Sequence, residues 1–173
     1  MHSAEEKKIV RIAVLSDTHM MKPSRALIDA YEQVMQDMDA ILHCGDITGE
    51  QVFLYCNAHP GFYAVAGNMD SGQWADSLPR KTTARVGQFQ IGMIHGFGLG
   101  SGPVTEKVVN IFQGQNLDLV CYGHTHKRLF VPDEYAFPVL NPGSFALPKG
   151  SPPGFACVEL RPGWQPAVEW IDL

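Results

Sequence analysis

Ile9-Val10-Arg11-Ile12-Ala13-Val14-Leu15-Ser16-Asp17-Thr18-His19 is the stretch that decides the reading of this chain. Its first seven residues are short, rich in β-branched side chains and nearly all apolar, as in a strand buried on both faces. They run directly into two side chains that bind metals. The arrangement recurs four times downstream. Asp46 follows the run Ala40–Leu42, Asn68 follows Phe62–Ala66, His95 follows Ile91–Ile94, and His124 with His126 follow Leu117–Cys121. In an open α/β sheet, parallel strands deliver their following loops to one carboxyl edge, where ligands and cofactors collect. Asp17, His19, Asp46, Asn68, His95, His124 and His126 are therefore expected to meet there as a two-metal site. The two-residue spacing of Asp17 and His19, and of His124 and His126, adds a further expectation. In extended backbone such residues project from the same side.

Length and composition bound the possibilities. A chain of 173 residues, 45% of them hydrophobic, can bury one sizeable core, and a single domain over 1–173 is expected. The start, Met1 to Lys8, is charged and lacks the apolar stretch of a signal peptide. No apolar segment approaches membrane-spanning length, so a soluble, cytoplasmic protein is expected. Cys44, Cys56, Cys121 and Cys157 are widely spaced with no Cys-x-x-Cys pair, which favours buried thiols over disulfides. A net charge of −5 with 13 basic residues and no Lys/Arg block argues against an extended nucleic-acid groove. A small phosphate ester remains compatible with it.

The coarse element order is strand 9–15, helix 24–38, strand 40–44, helix 50–58, strand 62–66, a hairpin near 83–95 turning at Gly87, helix 103–113 and strand 117–122. Short strands follow near 128–131, 138–140, 154–160 and 167–172. Pro23-Ser24 marks the start of the first helix, and Leu27, Tyr31, Val34, Met35 and Met38 sit at helical spacing. After about residue 80 the chain is mostly strand and turn. A second sheet packed on the first, with helices outside, is the economical α/β architecture.

Each candidate ligand has an ordinary alternative. Asp17 and Asp46 could cap helices or form turns, Asn68 after Gly67 is by itself a turn residue, and His95 beside Gly96 a loop histidine. The pair His124 and His126 suits a metal better than it suits a core. Joint occurrence at five equivalent strand ends favours the metal site. His43 falls in the second strand, while His2 and His59 read as surface residues.

In order and spacing, Asp17-Thr18-His19, Gly45-Asp46, Gly67-Asn68, His95-Gly96 and Gly123-His124-Thr125-His126 resemble the calcineurin-like metallophosphoesterase superfamily. The chain is most similar to its small prokaryotic phosphodiesterase branch, whose relatives include the retromer scaffold subunit. Asn141-Pro142-Gly143-Ser144 also looks like that branch, although alone it is only a turn. The resemblance covers residues 9 to about 160. It implies a four-layer αββα sandwich of two mixed sheets flanked by helices, with two metals at the carboxyl edge. It further implies that Asp17, His19, Asp46 and His126 hold the first ion, that Asp46, Asn68, His95 and His124 hold the second, and that Asp46 bridges.

Two divalent ions with two carboxylates and a bridging hydroxide would leave a net charge of about +1, which attracts a phosphate. That hydroxide would be the nucleophile, so no side chain is assigned as a base. Oxygen and imidazole ligands without thiolate suit Mn, Fe, Ni, Co or Zn about equally, and the resemblance favours manganese. Many superfamily members carry a histidine after the asparagine of Gly-Asn, where it protonates the leaving oxygen. Here that position is Met69, and a thioether has no proton to give. Asp70 either orients an imidazole or caps the turn. The leading expectation is a phosphodiesterase acting on small phosphate diesters, without nucleic-acid or membrane partners and with room for a homo-oligomer. The alternatives are a phosphomonoesterase or nucleotide phosphatase, and a non-catalytic interaction scaffold. Specificity would come from loops Lys22–Arg25, Met69–Trp74 and Phe97–Gly102.

Overall fold

Alternation along the strands builds the architecture. In β1 (Val10–Leu15), Val10, Ile12 and Val14 face one way and Ala13 and Leu15 the other, and each set enters a different buried cluster. The computed structural model describes residues 9–173, so Met1–Lys8, and His2 with it, lie outside the described residues. β1 pairs in parallel with β2 (Ala40–His43), which pairs in parallel with β3 (Phe62–Ala64). On its other side β1 meets β9 (Gly154–Leu160), which is antiparallel to it and to β10 (Ala167–Asp172). The first sheet thus runs β10-β9-β1-β2-β3.

The second sheet has the order β4-β5-β6-β8-β7. The hairpin of β4 (Lys81–Val86) and β5 (Phe89–Ile94) turns at Gly87, where the backbone is left-handed. β5, β6 (Leu119–Tyr122) and β8 (Val139–Pro142) are parallel, and β7 (Arg128–Val131) returns antiparallel along the edge. The two sheets face each other through Ile12, Val14 and Leu42 on one side and Ile91, Met93, Leu119 and Leu140 on the other. Helices α1 (Arg25–Gln33) and α2 (Glu50–Asn57) cover the outer face of the first sheet through Leu27, Ala30, Val52 and Cys56. Helix α4 (Val104–Phe112) covers the second through Val108 and Phe112. A short helix α3 (Gln73–Asp76), absent from the sequence expectation, follows β3. The result is the expected αββα sandwich of two mixed sheets. Among the described residues no helix is long and apolar enough to cross a membrane.

Three expectations change. Ser24 caps α1, its hydroxyl accepting from the Leu27 N–H at 3.2 Å, but the helix ends at Gln33 and a 3-10 turn over Met35–Asp37 replaces its last turn. The chain must tighten there because β2 begins at Ala40, and Asp39 is already tied to Arg11, whose carbonyl accepts from the Asp39 N–H at 2.8 Å. β3 stops at Ala64, since the Ala66 N–H turns to the Pro79 carbonyl (2.9 Å). His59 is not a surface residue: it is 5% exposed, its ring set edge-on to Tyr31 and its Nδ1 accepting from the Gly61 N–H. The four cysteines are free, with Cys44, Cys56 and Cys121 buried.

His43, the last residue of β2, is wholly buried and joins two loops. Its Nδ1 accepts from the Gly45 N–H (3.2 Å), so the neutral ring carries its proton on Nε2 and donates to Thr18 Oγ1 at 3.1 Å. Burial, helped by the charge of His95, lowers its pKa to about 3. The unfolded chain therefore binds one more proton than the folded one between about pH 3 and 6.5. This contribution to stability is complete above about pH 6.5 and is lost as the pH falls toward 3, by a few kcal/mol in total. In His43→Gln, the fall in stability between pH 6.5 and 4, followed by urea denaturation, should be shallower than in the parent; an identical slope would show that His43 takes no part in it.

Candidate metal centre

Five strands end at one place. Asp17, Asp46 and Asn68 follow β1, β2 and β3 of the first sheet, and His95 and His124 follow β5 and β6 of the second. The carboxyl edges of the two sheets are tied together where the Phe145 N–H, after β8, donates to the Ser16 carbonyl, after β1 (2.9 Å), and within the second sheet the Gly123 N–H donates to the His95 carbonyl (3.0 Å). Within the first sheet the Asp17 N–H donates to Gly45 and the His19 N–H to Asp46. Two glycines allow the loops to come this close. A Cβ on Gly67 would lie 2.1 Å from Asp46 Oδ1, and one on Gly123 would lie 1.9 Å from Ser16 Oγ.

The paired ligands do not converge through extended backbone, as their spacing suggested. Asp17, His19, Asp46, His124 and His126 all have left-handed φ values between 44° and 65°. Asp and His tolerate this region better than most residues, yet each such residue stores strain of order 1–3 kcal/mol. Thr48, β-branched and also left-handed, is the more strained case. The concentration of strain at five candidate ligands shows that their loops are held by surrounding contacts.

The carboxylates are buried. Asp17 is 0% and Asp46 2% exposed. Asp17 Oδ2 accepts from Ser16 Oγ (2.6 Å) and from the His124 N–H (3.1 Å), which leaves Oδ1 facing His126 Nε2 at 3.2 Å and His19 Nε2 at 3.6 Å. Asp46 Oδ1 accepts from the Met69 N–H (2.8 Å), and Oδ2 faces His95 Nε2 at 3.3 Å and His19 Nε2 at 3.6 Å. Asn68 Oδ1 lies 3.1 Å from His95 Nε2. The donor atoms of Asp17, His19 and His126 form one group within 4.8 Å of one another, and those of Asp17, Asp46 and His95 a second. His124 stands outside both groups, its ring edge-on to His95 at 5.2 Å.

Protonation decides what this arrangement can hold. His95 Nδ1 lies 2.7 Å from the Cys44 carbonyl and His126 Nδ1 2.6 Å from the Leu147 carbonyl. A carbonyl only accepts, so both Nδ1 atoms carry hydrogen and each neutral ring turns a bare Nε2 toward a carboxylate oxygen. Two acceptors facing each other need a cation between them. A proton can serve at His95, where burial lowers the pKa but the contact with Asp46 outweighs it and leaves it raised; the same pairing leaves Asp46 lowered against its own burial. Asp17 Oδ1 and His19 Nε2 are buried with no hydrogen-bond partner. Buried polar atoms are nearly always paired. A divalent ion among these oxygens and imidazoles would satisfy both orphans, so the donor set fits the group.

Several supports were not legible as such. Asp70 caps the loops and touches no ligand imidazole: Oδ2 accepts from the Asp46 (3.0 Å) and Gly67 (2.7 Å) N–H groups, and Oδ1 from Thr48 (2.7 Å). Asn141 Nδ2 donates to the Gly123 carbonyl (2.8 Å) and lies 3.0 Å from Thr125 Oγ1. Ser144 Oγ donates to the Asp17 carbonyl at 2.7 Å. The sequence singles out the Asn-Pro-Gly-Ser segment as a feature of the resemblance, and leaves Asp70 open between orienting an imidazole and capping the turn.

The profile of the calcineurin-like phosphoesterase superfamily domain matches residues 10–163. A probable metallophosphoesterase of Methanocaldococcus jannaschii is 32% identical over 138 residues, 80% of this chain and 69% of the relative. A conserved Streptococcus pneumoniae protein described as a predicted phosphoesterase superposes with a TM-score of 0.75 at 23% identity, covering 95% of this chain and 90% of that one. Vps29 of Entamoeba histolytica, in complex with zinc, does so at 0.72 and 20% identity, covering 94% and 98%. At such identities these two structures bear on the fold alone.

The role of Asp70 is open to test. In Asp70→Asn the amide nitrogen must replace one of two accepting oxygens and oppose a backbone N–H. The variant should lose about 1–3 kcal/mol, read by urea denaturation, despite its near-identical shape. A loss under a few tenths of a kcal/mol would show that these loops stand without the cap.

Proposed function

The chain belongs to the calcineurin-like phosphoesterase superfamily, and from that membership we propose that it is a two-metal phosphodiesterase acting on small phosphate diesters. In this reading Asp17, His19, Asp46 and His126 hold one ion, Asp46, Asn68, His95 and His124 hold the other, and Asp46 is shared. One observation carries it: bare Nε2 atoms and carboxylate oxygens face each other across a buried space, with Asp17 Oδ1 and His19 Nε2 unpartnered. Manganese is the proposed metal.

When bound, such ions supply Lewis acidity toward a phosphoryl oxygen and a water-derived nucleophile at neutral pH. The chain's own residues orient and exclude. The Cys44 and Leu147 carbonyls fix the tautomers of His95 and His126, and the Ser16 and His124 donors hold one oxygen of Asp17 so that the other points inward. Met69, 55% exposed beside Asn68, offers no proton to a leaving group. The ester cleaved must therefore have a group that leaves readily or takes its proton from water, which favours activated diesters over alkyl monoesters.

A second reading has its own support. Met21, Met69 and Phe97 are exposed apolar side chains in the loops that carry the ligands, and Leu147, whose carbonyl accepts from His126 Nδ1, is equally apolar and exposed; such a rim suits a protein partner. A fully metallated protein that turns over no phosphate ester yet holds a partner tightly would establish the scaffold role instead.

Elemental analysis of the reconstituted protein should find close to two transition ions per chain, and Asp46→Ala should lose both. Chelation should abolish hydrolysis of bis-p-nitrophenyl phosphate, and Mn²⁺ should restore it. One ion per chain, or full occupancy in Asp46→Ala, would sink the two-metal assignment. Met69→His should flatten the dependence of rate on leaving-group pKa, raising turnover of poor leaving groups by on the order of 10-fold or more. A folded, fully metallated Met69→His protein with the parent's slope would show that the missing donor does not set specificity.

A further inference from the structure

Beside Asn68 and His95 a hollow of about 240 Å³ opens between two loops, floored by Ile94 and lined further by Arg80, Phe97 and Leu99. Arg80 is delivered there by the sheet. The antiparallel register of β4 and β5 pairs Lys81 with Ile94, which carries Arg80, one residue ahead of β4, to the position opposite His95. The Ala66 N–H donates to the Pro79 carbonyl at 2.9 Å and ties this segment to the Gly67-Asn68 loop. Arg80 makes no ion pair or hydrogen bond among the described residues. It is a cation placed at a candidate centre without a structural partner of its own.

Phe97 is 55% exposed although its ring is set against His124 at 5.4 Å and 73°. The lining thus combines a planar cation and an aromatic ring over an apolar floor, with Asn68 and His95 at its edge. An anionic substituent would find one guanidinium as its only cationic side chain and would make no use of the exposed Phe97 ring. An alkyl chain would make no use of the guanidinium. A flat aromatic ring uses both: its face can stack on Phe97 or on the guanidinium plane. The volume lies below the roughly 300–1,000 Å³ of sites for drug-sized ligands and suits one ring system.

We propose that this hollow is the subsite for one ester substituent of the substrate, and that Arg80 and Phe97 make it selective for a flat aromatic group. The proposal rests on the reading of the adjoining residues as a phosphodiesterase centre. Arg80 and Phe97 act here as specificity-determining residues and not as metal ligands.

Phenylphosphonate and methylphosphonate share a head group and differ only in the substituent that would enter the hollow. Their affinities for the Mn²⁺-loaded protein, measured by calorimetry and by competition with bis-p-nitrophenyl phosphate, give a preference ratio independent of how tightly the head group binds. The parent should prefer phenylphosphonate by about 10-fold or more. Phe97→Ala should bring the ratio close to one, and Arg80→Lys, which keeps the charge but loses the plane, should reduce it several-fold. Both positions are exposed, and metal content and thermal unfolding verify that each variant is folded and loaded. A parent that binds both phosphonates with a ratio near one, or a ratio unchanged in both variants, overturns the subsite and leaves the phosphodiesterase reading standing. A metal-loaded parent that binds neither phosphonate and cleaves no diester overturns both.

Discussion

Two carboxylates taken out of water govern this structure. Asp17 and Asp46 are both buried at the end of central strands, where an uncompensated charge is costly. The molecule answers the cost in part. One oxygen of each is satisfied by a hydroxyl or a backbone N–H, and the other is left facing imidazole nitrogens at 3.2–3.6 Å. That remainder demands a positive charge. A proton can supply it at His95, whose pKa Asp46 raises, while the unpartnered pair of Asp17 Oδ1 and His19 Nε2 suits a metal ion better.

Much of the surrounding structure can be understood as what keeps those oxygens in place. Five left-handed residues among the candidate ligands would relax if their loops were free. They are not free, because Asp70 collects three backbone donors, Ser144 reaches the Asp17 carbonyl, Asn141 reaches Gly123, and His43 joins the loops after β1 and β2. Strain and burial of this kind lower the stability of a chain without its ion. The three apolar clusters, one between the sheets and one beneath the helices on each side, are large enough to carry that burden.

The mouth of the site has a different chemistry from its floor. The floor is carboxylate, amide and imidazole, whereas the adjoining loops expose Met21, Met69, Phe97 and Leu147, with Arg80 set to one side. A few placed polar groups among mostly apolar ones is the usual division in a small-molecule site.

The linear order of residues was enough to place the strands, because periodicity and β-branching are local properties, and enough to single out seven candidate ligands, because each lies within a few residues of the end of an apolar run. It also indicated the second sheet, from the strand-rich pattern after residue 80. What it could not contain was the relation between distant segments. Whether Asp70 caps a turn or orients an imidazole depends on where the backbone of residues 46–48 lies, and the burial of His59 depends on Tyr31. The extended geometry expected for Asp17 and His19 gave way to left-handed turns because the loops after β1 and β2 bond to each other, a constraint between residues almost thirty apart. Strand-end chemistry is written in neighbouring residues; the pairing of Arg80 with His95 exists only once the register of β4 and β5 is set, and that of Asp17 with His126 only once two sheets bring their edges together.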